Sequence, residues 1–312
     1  MRKIIIDTDC GSDDAVAIVM ALRDENHEIL MFTGVTGNVR VDQAVQNTLT
    51  TVKVTDTYCP PVYRGCDDML KRDWAGAHEE HGNDGMGDLD LVDYSLKADE
   101  GDAVEKMLEA LRQHEDKEID IITLGPLTNI ARAIMQDRET MKRANRIVMM
   151  GSSGLGEGNV TPTAEFNVWQ DAEACKIVLE SGIDPLVFVG WDACLGEAML
   201  NPEEIRMITE SGPLGKFCMD INQPLMRLNR ERFGDDYLDM ADPAAMAAAL
   251  YPECIDACDK YYCEVDVSDR ETYGTLYVDT DGSSGKEANA YICSRLKAQP
   301  FKDYLYRQLK VK

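Results

Sequence analysis

Short, unbroken apolar runs recur along this chain, each separated from the next by a stretch with helical spacing. A run that is apolar at every position fits a strand covered on both faces. Apolar positions three and four apart fit a helix lying on such a sheet. Residues 3–7 give the first strand and 13–24 a helix; residues 29–36 give a second strand, 41–55 a helix and 61–65 a short strand. A helix over 102–114 precedes a strand over 119–124, and another helix begins near Leu127. Residues 146–150 and 186–190 read as further strands, with a helix over 171–181 between them.

Strand–helix–strand units repeated in this way predict an α/β fold, an open and mostly parallel sheet with helices on both faces and right-handed crossovers. Residues 201–252 are predominantly helical and read as a helical insertion near 200–250. Strands over 261–267, 275–279 and 287–296 follow, then a closing helix over 300–309. No low-complexity linker or internal repeat interrupts the pattern, so residues 1–312 are expected to form a single domain.

Composition narrows the partners. A formal net charge of −25 disfavours binding to nucleic acid or to an anionic membrane surface. No apolar run approaches membrane-spanning length, and Met1-Arg2-Lys3 leads straight into the first strand without a secretory signal. Ten cysteines are scattered without C-x-x-C pairs, and the spacing of Cys254, Cys258 and Cys263 suits no zinc ribbon or finger. Reduced thiols and a cytoplasmic location are the expectation.

The chemistry gathers at strand ends. Asp7, Asp9, Asp13 and Asp14 place four carboxylates within eight residues, where the first strand gives way to a helix. Such crowding is unfavourable unless a cation neutralises it, and a hard divalent ion held by oxygens is the usual answer. In an open α/β sheet this is also the edge where ligands bind. Asn38 follows the second strand. Asn159, Glu165 and Asn167 lie in a Gly-rich loop running to residue 170, and Asp242-Pro243 reads as a helix start with Asp242 as N-cap. The long loop over 72–100 carries His78 and His81, two of only four histidines, with hinge-capable glycines at 82, 85 and 87. Each has a plain structural reading alone; together they converge on one sheet edge.

Asp7-Thr8-Asp9-x-Gly11-x-Asp13-Asp14-Ala15 resembles the signature of the nucleoside hydrolases, the inosine-uridine-preferring nucleoside N-ribohydrolase group. Gly37-Asn38, His81-Gly82 through Gly85-Met86-Gly87, and Gly125-Pro126-Leu127-Thr128-Asn129-Ile130-Ala131 come next in the family's order. So do Met150-Gly151, Glu157-Gly158-Asn159, Ala164-Glu165-Phe166-Asn167 and Asp242-Pro243, so that the resemblance covers nearly the whole chain. It implies hydrolysis of the N-glycosidic bond of a small-molecule ribonucleoside and a calcium ion held by Asp9, Asp14, Asp242 and the Leu124 carbonyl. It implies Asp9 as the base that takes a proton from water, and His81 as a loop histidine near the substrate. Asp13, Asn159, Glu165 and Asn167 would grip the ribose hydroxyls, with Asn38 nearby. Family members are often dimers or tetramers, which implies a homo-oligomer.

Two positions depart from the family pattern. Cys10 replaces a usual proline, and Ala241 stands where many members have the histidine that protonates the leaving base. Tyr237, Asp239 or His81 could supply the acid instead, or Trp74 or Trp169 could stack on a purine. A third reading is a different riboside or lost turnover, which includes a calcium-dependent ribose sensor. The Asp7-x-Asp9 pair also occurs in haloacid dehalogenase phosphatases, but Gly11 stands where those need Thr or Val. Asp281-Gly282-Ser283-Ser284-Gly285-Lys286 lacks phosphate-loop spacing and reads as a turn.

Overall fold

A computed structural model describes residues 1–234 and 236–311. Its centre is a sheet whose strands, among the described residues, run in the order β3-β2-β1-β4-β5-β6-β9-β7-β8. They are β1 Arg2–Thr8, β2 His27–Gly34, β3 Val62–Arg64, β4 Ile119–Thr123, β5 Arg146–Met150, β6 Leu186–Val189, β7 Ile255–Val265, β8 Leu276–Asp279 and β9 Ala290–Leu296. All neighbours from β3 to β9 pair in parallel; β7 then runs antiparallel to β9, and β8 antiparallel to β7. The chain winds outward from β1 in one direction, returns, and continues from β4 in the other. The gap between the carboxyl ends of β1 and β4 is therefore the sheet's topological switch point.

Strand β1 shows why its apolar run is continuous. Ile4 and Ile6 point into one core and Ile5 into the other, and all three are fully buried. The first core holds helix α1 (Ser12–Leu22), α2 (Val41–Thr55) and α11 (Ala241–Leu250). The second is covered by α4 (Ala103–Gln113), α5 (Thr128–Met141) and α7 (Ala172–Leu179). Helix α1 is buried at every position and packs on α11, whose run Ala244, Ala245, Ala247, Ala248 and Ala249 lets the two backbones approach closely.

Several boundaries differ from the sequence reading. Of the helical stretch near 200–250, α8 (Pro202–Glu210), α9 (Pro213–Asp220) and α10 (Gln223–Phe233) form the added part. Helix α11 instead belongs to the core layer against α1 and β5. Asp242 is not an N-cap: α11 starts at Ala241 with Met240 in the cap position, which sets Asp242 inside the first turn. Pro243 allows this, because no first-turn N–H has an intrahelical partner to lose. The loop over 72–100 contains a one-turn helix, α3 (His78–His81), and the loop expected up to residue 170 contains α6 (Phe166–Gln170). β7 begins at Ile255, six residues before its expected start, because its first residues are only partly buried or exposed and lack the continuous apolar run of the inner strands. A final helix, α12 (Ala298–Leu309), closes the chain, and no helix among the described residues is long and apolar enough to cross a membrane.

Candidate active site

The switch point opens into a cleft of about 670 Å³. Its floor is built by the turn from β1 into α1. The Asp14 carboxylate turns back onto its own helix start, where Oδ1 accepts from the Thr8 hydroxyl (2.5 Å) and Oδ2 from the Gly11 amide (2.8 Å). Asn38, carried in after β2, donates its side-chain amide to Asp14 Oδ2 (3.1 Å) and its backbone N–H to Asp9 Oδ2 (2.6 Å).

Asp9 sits between two glycines that leave no room for a side chain. A Cβ on Gly37 would lie 2.1 Å from its Oδ2, and one on Gly125 would lie 2.6 Å from its Oδ1. That Oδ1 is buried and has no hydrogen-bond partner among the described residues. Leaving a carboxylate oxygen so costs free energy unless something else comes to it.

Asp242 arrives from α11, its backbone N–H 3.4 Å from Asp13 Oδ2. Asp13, Asp14 and Asp242 each bring a carboxylate oxygen within 4.8 Å of the others, and all three are buried. Asp9 stands beside this trio. Burial above all, and then the Asp14 charge, pushes the Asp9 carboxyl well above its ordinary range. Burial and the charges of Asp13, Asp14 and Asp9 do the same to Asp242. Burial lifts Asp13 to about 6 although His81 opposes it. The donor set consists of hard oxygens, mutually repelling and partly unpartnered, which fits a divalent cation. The trio contains Asp13, expected at the ribose, in place of Asp9, expected at the metal.

The remaining wall comes from β4, β5 and α6. The Leu124 carbonyl accepts from Asn167 Nδ2 at 2.7 Å, and the same amide lies 3.3 Å from the Met150 carbonyl. Glu165 caps α6, with Oε1 accepting from the Asn167 amide (2.9 Å) and Oε2 from the Ser152 amide (2.8 Å). Burial nevertheless raises its carboxyl to about 7. Asn159 Oδ1 accepts the Phe166 amide at 2.9 Å, so the asparagine holds the start of the same helix. His81 lines the opposite side, with Nδ1 2.8 Å from the Ser12 hydroxyl and 3.9 Å from Asp13 Oδ1.

The structure thus brings Asp13, Asn38, His81, Leu124, Asn159, Glu165, Asn167 and Asp242 to one cleft. Asp9, Asp14, Trp74 and Tyr237 are not among its lining residues, Asp9 and Asp14 being fully buried behind it. The Trp74 indole N–H is spent on the Gly37 carbonyl (2.7 Å), and the Tyr237 backbone carbonyl accepts from Asn229 (3.1 Å). Trp169 does line the cleft, with the Arg72 guanidinium 4.1 Å from its ring centroid. Sequence reasoning missed Trp191, which lines the cleft directly after β6 and Gly190. Its place at a strand's carboxyl end was the available signal. It also missed Asn222, whose Oδ1 takes the Ser12 hydroxyl at 2.9 Å from 210 residues away; no sequence pattern marks that residue.

Comparison with known proteins defines the class. The chain belongs to the inosine-uridine preferring nucleoside hydrolase family, whose sequence model matches residues 4–303, and it is thereby a hydrolase of N-glycosyl bonds. It is 32% identical over 292 residues to the pyrimidine-specific ribonucleoside hydrolase RihB of Escherichia coli (strain SE11), spanning 93% of this chain and 91% of that one. Among solved structures it superposes on the plant nucleoside hydrolase PpNRh1 with a TM-score of 0.91 at 25% identity, covering 100% of this chain and 99% of the other. On the purine-preferring ribonucleoside hydrolase of Gardnerella vaginalis the TM-score is 0.89 at 26% identity, with full coverage of both chains.

Proposed function

We propose that residues 1–312 act as one catalytic unit that hydrolyses the N-glycosidic bond of ribonucleosides with calcium as its resident cation. Asp9, Asp14, Asp242 and the Leu124 carbonyl would hold the ion. The observation that carries this reading is the buried group of Asp13, Asp14 and Asp242, with the unpartnered Asp9 Oδ1 buried beside it. Calcium suits it because that ion takes six to eight oxygens in flexible geometry. When bound, such a cation would polarise a coordinated water so that an adjacent carboxylate could take its proton at neutral pH.

The chain's own groups do the rest. Asp9, wedged between Gly37 and Gly125, accepts the proton of the attacking water. Asp13, Asn159, Glu165 and Asn167 line the cleft around the sugar and fix its hydroxyls. The carboxylates of Asp13 and Glu165 favour the positive character that develops at C1′ as the C–N bond breaks, while the two asparagines contribute hydrogen bonds only. Base preference does not transfer from the relatives, since one is named pyrimidine-specific and another purine-preferring.

The test is a substrate panel with calcium-loaded protein: inosine, adenosine, guanosine, uridine, cytidine and p-nitrophenyl riboside, assayed by release of base or phenol. Cleavage of at least one nucleoside is expected. Ribose-type ligands that bind without any turnover would replace the hydrolase with a sensor.

A further inference from the structure

The cleft lining carries the Arg232 guanidinium together with the carboxylates of Glu79, Glu80 and Asp239. Arg232, an exposed residue in the last turn of α10, lines the cleft with its guanidinium carbon 4.4 Å from the centroid of the Trp191 indole. At that distance the cation and the ring face attract. The indole is itself clamped, because its Nε1–H donates to Asp239 Oδ2 at 3.1 Å. Asn229 donates to Asp239 Oδ1 at 2.6 Å and to the Tyr237 carbonyl at 3.1 Å.

Asp239 therefore has both oxygens committed as acceptors. That makes it the anchor of this wall rather than the replacement acid considered from sequence. Ala241, at the start of α11, presents only a methyl group to the same cleft. The same lining carries the Arg232 guanidinium, which can meet negative charge but does not give up a proton.

The charges match the reaction. As the C–N bond breaks, its electron pair stays on the base and C1′ becomes positive. Water oxygen then bonds to C1′ and gives its proton to Asp9. The base leaves as an anion and takes a proton from solvent, and Asp9 gives its proton up to solvent, so the sum is riboside plus water giving ribose plus neutral base. The buried carboxylates of Asp13 and Asp242 line the cleft and favour the forming cation, and the Arg232 guanidinium on the same lining can favour the departing anion. Charge placed in advance where charge develops is a large source of rate.

We propose that Arg232 stabilises the leaving group as an anion, and that the site favours ribosides whose base or aglycone departs readily in that form. This rests on the hydrolase reading of the site. The experiment compares wild type, Arg232→Gln and Arg232→Lys, all calcium-loaded, on p-nitrophenyl riboside, inosine and uridine, with kcat and KM measured separately.

Arg232→Gln should lower kcat about 100-fold on uridine, whose base is the poorer leaving group, and only a few-fold on p-nitrophenyl riboside. The dependence of rate on leaving-group acidity should steepen, KM should move little, and Arg232→Lys should recover most of the loss. An equal loss on every substrate would mean a structural role and overturn the proposal, as would no loss. Wild-type protein that cleaves none of the three would sink the hydrolase reading itself, a different outcome from an active enzyme indifferent to Arg232.

Discussion

Strands β1 and β4 carry charge at both edges of the sheet, and the two edges treat it in opposite ways. At the amino edge, Asp120 of β4 is nearly as buried as the acids of the cleft, yet every oxygen is answered. Oδ1 accepts from Arg2 at 2.6 Å and Asn145 at 2.8 Å, and Oδ2 from Arg146 at 2.7 Å. Burial alone would raise this carboxyl; the Arg2 and Arg146 guanidiniums override it and hold the group below its ordinary range. At the carboxyl edge, some seven residues along the chain from Arg2, the Asp9 carboxyl meets other acids instead of a guanidinium and is driven up. A fold able to pair a buried acid at one edge leaves a cluster uncompensated at the other. Uncompensated burial costs stability, so it marks the place reserved for something that comes and goes.

The comparison breaks most readily at Asp9. Asp9→Asn keeps the shape between Gly37 and Gly125 but removes the proton acceptor, and kcat should fall by about 1,000-fold or more with the fold intact by circular dichroism. An unchanged rate would detach the carboxyl edge from catalysis. Cation removal is the next test. Chelation should lower the melting temperature by several degrees and calcium should restore it, since a ligand at 100 times its Kd adds about 2.7 kcal/mol. A melting curve indifferent to both would mean that protons alone neutralise the cluster.

A smaller gain is expected from Ala241→His, which adds a transferable proton to the cleft that Trp191 also lines and should raise turnover of poor leaving groups by about tenfold. No gain in a folded variant would show that the Arg232 wall already suffices.

The smallest effect on activity belongs to Asp120→Asn, which should leave kcat unchanged while costing about 1–3 kcal/mol of stability at neutral pH. The Asp120 carboxyl is held lower in the folded chain than in the unfolded one. Its contribution is therefore complete above the unfolded value, about 3.9, and disappears as pH falls through the lower folded value. Melting curves of wild type and variant should differ at pH 7 and converge in strong acid. A gap that persists there would remove the ionic pairing from the account.

The carboxyl edge was legible from the sequence because its polar groups sit at fixed offsets from strand ends. An apolar run leading into Asp9 to Asp14, or into Leu124-Gly125-Pro126, announces where the chain leaves the sheet. Glu165 and Asn167 were found by the same logic, though α6 was not, because five residues are too few to show a helical period. Of the wall formed by Trp191, Asn229 and Arg232, only Trp191 had a strand end to mark it. The wall's members come from a turn and from a surface helix, and the hydrogen bonds to Asp239 that assemble them span 10 and 48 residues with no repeating pattern. Tyr237 and Trp74 were chosen for their chemistry without a strand end to place them, and neither reaches the cleft lining.

The meeting of Asp13 with Asp242 joins positions 229 residues apart, and that of Ser12 with Asn222 positions 210 apart. The acid cluster therefore cannot exist in a chain that has made only its first half. During folding, residues 9 to 14 must wait as an unfinished, self-repelling segment until α11 docks against α1. A cation that prefers the completed cluster would act as a late latch on the fold, slowing unfolding more than it speeds assembly.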